Sequence, residues 1–283
     1  MGQLLGAAQI REIAAAIGVT PTKKLGQNFV VDANTCRRIV KIAQLQPGDT
    51  ALEIGPGLGS LTLAMLEVAK NVVAVEIDSR LAAQLPLTVE NNGFDPTSLF
   101  VQCEDAMTTS TLPLNPDVLV ANLPYNVSVP VLLHFFEKFP SLRSGVVMVQ
   151  SEVADRLVAK PGSKSYGSPS VKATWWADLS GAGGVGRSIF WPVPNVDSSL
   201  VQFVRHAPAG TEAERLRVFE VIDAAFAQRR KMLRSALSEL FTARGQKAEE
   251  CIAAAGIDPT VRGEVLVLSE FMAIANTLAP VTN

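Results

Sequence analysis

The sequence predicts an α/β protein: a mostly parallel sheet covered by helices on both faces, closed by a C-terminal antiparallel hairpin and followed by a small all-helical domain. Three observations predict it. Between residues 50 and 158, apolar runs of strand length alternate with amphipathic stretches of helix length, the pattern of parallel strands buried on both faces. The first run ends in Glu53-Ile54-Gly55-Pro56-Gly57-Leu58-Gly59, a glycine loop that puts a ligand crevice beyond the C-terminal ends of the strands. After about Ala207 only helical spacing remains. A domain boundary is therefore expected near residue 206, dividing the chain into 1–206 and 207–283.

Taken in order, residues 10–17 read as a short helix stopped by Gly18, with Pro21 beyond it. Residues 23–32 form a loop carrying Lys23, Lys24 and Phe29, and Asp32 is placed to cap a helix that runs to about Ala43. Pro47-Gly48 turns the chain into a strand over 50–54, then the glycine loop and a helix over 60–68. A strand over 72–77, a helix over 79–87 and a strand over 99–103 follow. The fourth strand covers 118–121 with a helix over 129–138, and the fifth covers 146–149 with a helix over 151–158. Residues 160–172, with three lysines and no acid, read as a mobile basic loop near the crevice. Residues 170–177 read as a helix packed through Trp175 and Trp176, and 181–186 as a flexible glycine turn. Residues 189–194 lead into a hairpin strand at 200–204, and helices are expected at 212–226, 231–240, 248–255 and 270–278.

Composition narrows the function classes. Of 283 residues, 48% are hydrophobic and 18% charged, ample for a core and unlike a disordered chain. A net charge of −2 excludes a polycation, so any nucleic-acid contact must rest on local patches. Two exist: residues 1–45 carry six Lys/Arg against two acids, and 226–247 carry six against Glu239 alone. Cys36, Cys103 and Cys251 lack paired spacing, and with His134 and His206 as the two histidines no metal cluster is expected. Unpaired thiols and the lack of any apolar run of ~18 residues point to a cytoplasmic protein with no membrane segment.

The crevice residues carry the chemistry. Gly55, Gly57 and Gly59 follow a G-x-G-x-G spacing, with Ser60 standing where a dinucleotide fingerprint wants glycine. Glu53, two residues before the first glycine, would repel a pyrophosphate and suits a cationic ligand. S-adenosylmethionine, with its sulfonium and α-ammonium groups, is the cofactor that fits. Glu76 ends the second strand about twenty residues on, where an acid accepts from ribose hydroxyls, and Asp105 after the third strand can accept from an adenine amino group. At the tip of the fourth strand stands Asn122-Leu123-Pro124-Tyr125. The Asn122 amide oxygen and a loop carbonyl, extended ahead of Pro124, can accept from an exocyclic amino group. Tyr125 offers a stacking face, with Phe190 as the second candidate for a flipped adenine. No cysteine stands beside the motif, which argues against the covalent route used at C5 of pyrimidines.

These residues resemble a known family. Leu25-Gly26-Gln27-Asn28-Phe29, the 53–59 loop, Asn122-Leu123-Pro124-Tyr125-Asn126-Val127-Ser128, the 160–167 loop, Phe190-x-Pro-x-Pro-x-Val-x-Ser198 and Phe226-x-Gln-Arg-Arg-Lys-x-Leu-Arg234 occur in order. Together they look like the small-subunit ribosomal RNA adenine dimethyltransferases, from about residue 20 to about 275. The resemblance implies a Rossmann-like class I S-adenosylmethionine-dependent methyltransferase fold and a cofactor site using Asn28, Val30, Gly55, Glu76, Asp105 and Asn122. It implies dimethylation at N6 of two adjacent adenosines near the 3′ end of small-subunit rRNA, on an immature 30S particle, by a monomer. Lys23, Lys24, Lys160, Lys164, Arg229, Arg230, Lys231 and Arg234 are the candidate RNA contacts. Val129, Pro169 and Asn195 depart from the residues usual in the family. Two other readings are a large-subunit rRNA methyltransferase of the macrolide-resistance type, and a ribosome-assembly or transcription factor that needs no catalysis.

Overall fold

The computed structural model describes residues 2–21 and 28–280. Nine strands and twelve α-helices follow one another through the described chain. The first part runs α1 (Ala7–Ala16), β1 (Phe29–Val30), α2 (Ala33–Ile42), β2 (Thr50–Ile54), α3 (Ser60–Leu66), β3 (Asn71–Glu76) and α4 (Ser79–Asn91). Then come β4 (Leu99–Cys103), β5 (Val118–Asn122), α5 (Ser128–Lys138), β6 (Ser144–Gln150), α6 (Ser151–Leu157) and α7 (Ser168–Ala173). Last are β7 (Ala177–Val185), β8 (Phe190–Trp191), β9 (Ser198–Arg205), α8 (Glu212–Ala227), α9 (Leu233–Ala236), α10 (Ser238–Thr242), α11 (Ala248–Ala254) and α12 (Leu268–Asn276).

Seven strands form one sheet in the order β4-β3-β2-β5-β6-β9-β7. The five strands β2 to β6 are mutually parallel, and β9 runs antiparallel to β6. Every residue of β2 is buried, as are five of six in β3, as expected of strands that carry helices on both faces. A second, two-stranded sheet pairs β1 with β8, Phe29 opposite Trp191 and Val30 opposite Phe190. It ties the segment carrying Asn28 to the proline turn 160 residues later.

Local chemistry sets most of these elements. Asp32 caps α2, its Oδ1 accepting from the Thr35 N–H at 2.6 Å. Thr211 and Glu214 form a reciprocal capping box at the start of α8. In two places packing overrides the local signal. Helix α4 passes through Pro86 to Asn91 instead of stopping near residue 87, because Thr88 and Val89 beyond that point are buried. Of the glycine-rich stretch expected to be a flexible turn at 181–186, residues 181–185 are instead the second half of β7. The strand lies at the sheet edge beside β9, where glycines are tolerated.

The chain divides into two compact units, 1–154 with 180–205, and 155–179 with 206–283. The boundary expected at 206 is therefore incomplete, since the segment 155–179 belongs with the helical end. Within the second unit Trp175 and Trp176 meet Phe219 edge-on at 6.0 and 5.5 Å, and both tryptophans are buried, the packing role expected of them. The 160–167 stretch is likewise tied down. The Gly162 N–H donates to the Glu264 carbonyl at 2.7 Å and the Tyr166 hydroxyl to the Leu266 carbonyl at 2.6 Å. The stretch read as one helix over 231–240 is two short helices, α9 and α10. Among the described residues no helix is long and apolar enough to cross a membrane.

Candidate active site

A cavity of about 250 Å³ opens in the first unit at the C-terminal ends of β2, β3, β4 and β5, where this topology concentrates ligands. The glycine loop forms its floor. The Gly55 N–H donates to the Val75 carbonyl, carrying the β2–β3 ladder one residue past Ile54. Gly57 has φ +57°, and a Cβ there would lie 2.9 Å from the Phe29 ring. The glycine is required by a left-handed backbone and by the protein's own side chain. The expectation that a ligand's approach excludes the Cβ is thus refined. A dinucleotide spacing is absent because Ser60 opens α3, its hydroxyl donating to the Val30 carbonyl at 2.6 Å. That bond anchors β1 against the loop.

The acidic residues singled out from sequence, Glu53, Glu76 and Asp105, converge on this cavity, and Glu104 joins them. No Lys, Arg or His lines it among the described residues. Glu76 is buried and accepts from the Gly57 N–H at 3.1 Å and the Asp78 N–H at 3.0 Å. Burial pushes its carboxyl above the usual range, while those two N–H groups pull the other way. Glu53 is 2% exposed and accepts from the Thr62 hydroxyl. Burial first, and then the neighbouring Glu76 charge, pushes its carboxyl up to about 8, with the Thr62 hydrogen bond opposing. Asp105 is exposed, with Oδ1 accepting from the Met107 N–H at 2.8 Å.

Asn122 ends β5 and lines the same cavity. Its Nδ2 donates to the Asn28 carbonyl at 3.2 Å. A carbonyl partner identifies the donating nitrogen, so the orientation of the amide is decided by chemistry. Oδ1 is left buried without a hydrogen-bond partner among the described residues. A buried acceptor left unsatisfied costs ~1–3 kcal/mol, and such groups mark positions completed by something else. Pro124 lines the cavity beside it.

The two aromatics expected to sandwich a base behave differently. Tyr125 is half-buried beside this strand tip, and its hydroxyl shares a 2.7 Å hydrogen bond with the Ser198 hydroxyl. Phe190 is 2% exposed within the hydrophobic core and outside the cavity lining. Its pairing with Val30 makes it a core aromatic in this conformation, contrary to the stacking role expected. Phe29 lines the cavity instead and stacks on Trp191 at 6.2 Å. Sequence reading also missed Ile77 and Met107, both on the cavity wall and exposed at 57% and 38%. An isoleucine immediately after the strand-terminal acid was the signal for the first; nothing local marks the second.

The basic residues proposed for RNA are unequal. Lys23 and Lys24 lie outside the described residues. Lys160, Lys164, Arg230 and Lys231 are exposed. Arg229 instead pairs with Glu264 and donates to the Ser163 and Lys164 carbonyls, holding the 160–167 stretch to the second unit. Arg234 pairs with Glu249, Arg244 with Glu220, and Lys247 with Glu250. Pro169 sits in the first turn of α7, where the missing N–H costs nothing.

Parallel strands leading into a glycine loop, an acidic cavity and an Asn-Leu-Pro-Tyr strand tip define a methyltransferase of the class I S-adenosylmethionine-dependent fold. Solved structures share that fold. A dimethyladenosine transferase from Plasmodium falciparum matches with a TM-score of 0.73 at 24% identity, covering 87% of this chain and 95% of its own. The 23S rRNA methyltransferase ErmE matches with a TM-score of 0.65 at 24% identity, covering 89% and 99%. The chain belongs to the ribosomal RNA adenine dimethylase family, whose model matches residues 19–279. It is 58% identical over 275 residues to a ribosomal RNA small subunit methyltransferase A of Streptomyces griseus, covering 96% of this chain and 94% of that protein. A protein of the same name from Arthrobacter sp. FB24 is 56% identical, covering 96% and 92%.

Proposed function

We propose that this protein transfers methyl groups from S-adenosylmethionine to N6 of two adjacent adenosines near the 3′ end of small-subunit rRNA, acting as a monomer on an immature 30S particle in the cytoplasm. The observation that carries the reading is the buried Oδ1 of Asn122 at the tip of β5, which has no hydrogen-bond partner among the described residues and lies beside a cavity walled by acids. When bound there, the cofactor supplies an electrophilic methyl group on a sulfonium.

Glu53, Glu76 and Asp105, with the loop of Gly55, Gly57 and Gly59, and with Asn28 and Val30, are the residues that would hold it. The charge balance of the lining favours a cationic ligand. Asn122 acts on the acceptor. An adenine N6 is a poor nucleophile because its lone pair is delocalised into the ring. Its two N–H groups donate to Asn122 Oδ1 and to the Leu123 carbonyl, drawing the nitrogen toward a pyramidal geometry and freeing the lone pair. The chain then contributes alignment, worth as much as ~7–11 kcal/mol where the fit is good, and no covalent nucleophile is needed. Tyr125 supports the base, its ring steadied through Ser198. The exposed Lys160, Lys164, Arg230 and Lys231 engage phosphates.

Transfer of tritiated methyl groups to immature small subunits, followed by nucleoside analysis, tests the proposal. The expected product is N6,N6-dimethyladenosine in small-subunit rRNA. Label confined to large-subunit rRNA, or monomethylated adenosine as the end product, would overturn it.

A further inference from the structure

The four acids around the cavity are not equivalent. Asp105 is exposed and Glu104 partly so. Glu76 is buried, but two backbone N–H groups stabilise its ionised form. Glu53 is buried and, among the described residues, has the Thr62 hydroxyl as its one hydrogen-bond partner. It lines the cavity together with the glycine loop and Glu76 of β3, and Glu76 and Cys36 of α2 are both close enough to feel its charge. Cys36 is itself buried and held as a neutral thiol, pushed up to about 12 by burial. Among the described residues, then, no basic side chain of the cavity lining can balance a charge on Glu53, and a cation that enters the cavity can.

The methyl donor and its demethylated product differ in this respect. They share an adenosine and an amino-acid tail with its ammonium, so the difference between them is the donor's sulfonium cation where the product has a neutral thioether. Resting on the cofactor reading above, we propose that Glu53 is the residue by which this chain distinguishes the charged donor from its neutral product, its carboxyl ionised opposite the first and protonated opposite the second. The geometry explains why this role falls to Glu53. A carboxyl 2% exposed, with one hydroxyl partner among the described residues, is poorly stabilised as an anion, whereas Glu76 has two backbone N–H groups to hold its charge. Burial pushes the Glu53 carboxyl up to about 8, so around neutral pH a protonated Glu53 must lose its proton for the donor and keep it for the product. Each of two methylations leaves a product molecule in the cavity, and such a carboxyl favours exchange of product for fresh donor.

Isothermal calorimetry of S-adenosylmethionine and S-adenosylhomocysteine, in buffers of different ionisation enthalpy and between about pH 6 and pH 9, reads the proton directly. Donor binding should release up to one proton more than product binding. The donor-to-product affinity ratio should rise with pH by up to about tenfold per unit below about pH 8 and then level off. Glu53→Gln should abolish that difference, cancelling any contribution from the ligands' own amino groups. Thr62→Val, which removes the hydrogen bond that favours the charged carboxyl, should move the rise to higher pH, and it serves if Glu53→Gln fails to fold. Equal proton counts for the two ligands, or a pH-dependent ratio that persists in Glu53→Gln, would overturn this inference while leaving the cofactor reading intact. Failure of both compounds to bind would overturn the cofactor reading, and this inference with it.

Discussion

Asn122→Ala should separate catalysis from folding. Among the described residues the Asn122 side chain makes one hydrogen bond, Nδ2 to the Asn28 carbonyl, and leaves Oδ1 buried with none. Truncation forfeits that bond, worth about 1 kcal/mol net, and at the same time removes an unsatisfied buried acceptor that costs ~1–3 kcal/mol. The two nearly cancel. The unfolding free energy of the ligand-free variant should therefore stay within about 1 kcal/mol of wild type. Catalysis has no such compensation, because the acceptor is satisfied only when an adenine N6 presents its hydrogens. Losing one preorganised partner of this kind costs ~10²–10³ in rate, and donor affinity should change by no more than a few-fold. Asn122→Asp is a sharper control. It keeps an acceptor but turns a carboxylate toward the Asn28 carbonyl, so it should lose both rate and stability. Urea unfolding, donor calorimetry and single-turnover methyl transfer on small subunits measure the three quantities. An Asn122→Ala protein destabilised by several kcal/mol, or one whose rate loss is matched by an equal loss of donor affinity, refutes the reasoning.

Other substitutions probe the rest of the site. Burial raises the Glu53 carboxyl from 4.5 to about 8 in the folded chain, so the stability present below pH 4.5 is lost as pH rises through 8. Ligand-free Glu53→Gln should accordingly gain on wild type above about pH 5, by at most roughly 5 kcal/mol beyond pH 8; parallel unfolding curves across that range would show the carboxyl to be solvated. Gly57→Ala forces a left-handed backbone on a residue with a Cβ, a cost of roughly 1–2 kcal/mol, and sets that carbon 2.9 Å from the Phe29 ring. A lower melting temperature and weaker donor binding are expected, and an unchanged melting temperature would contradict the geometry. Replacing Arg230 and Lys231 by glutamine should leave the melting temperature alone and reduce the logarithmic salt slope of rRNA binding by about 1.5. Arg229→Ala should lower the melting temperature, since it releases Glu264 and two carbonyls of the 160–167 stretch. The opposite pattern would reverse the assignment of these charges.

What the sequence determined alone is what depends on neighbours along the chain. The strand Thr50–Ile54 follows from an unbroken apolar run, the start of α2 from Asp32, and the glycine loop from three glycines at every second position. The strand tip at Asn122 was legible for the same reason, since an apolar run that stops at Asn-x-Pro leaves the amide at the C-terminal end of its strand. The tertiary structure decided whatever depends on a partner far away. Which atom of Asn122 is left without a partner was decided by the Asn28 carbonyl, 94 residues earlier. Phe190 became a core residue because β8 pairs with β1. Glycines 181, 183 and 184 became strand because β9 lay alongside to complete the ladder. Arg229 was turned inward by Glu264, while Arg230 beside it stayed in solvent. Local backbone preference and hydrophobic period are properties of short windows, whereas the pairing of charges, amides and edges is settled only when distant segments meet.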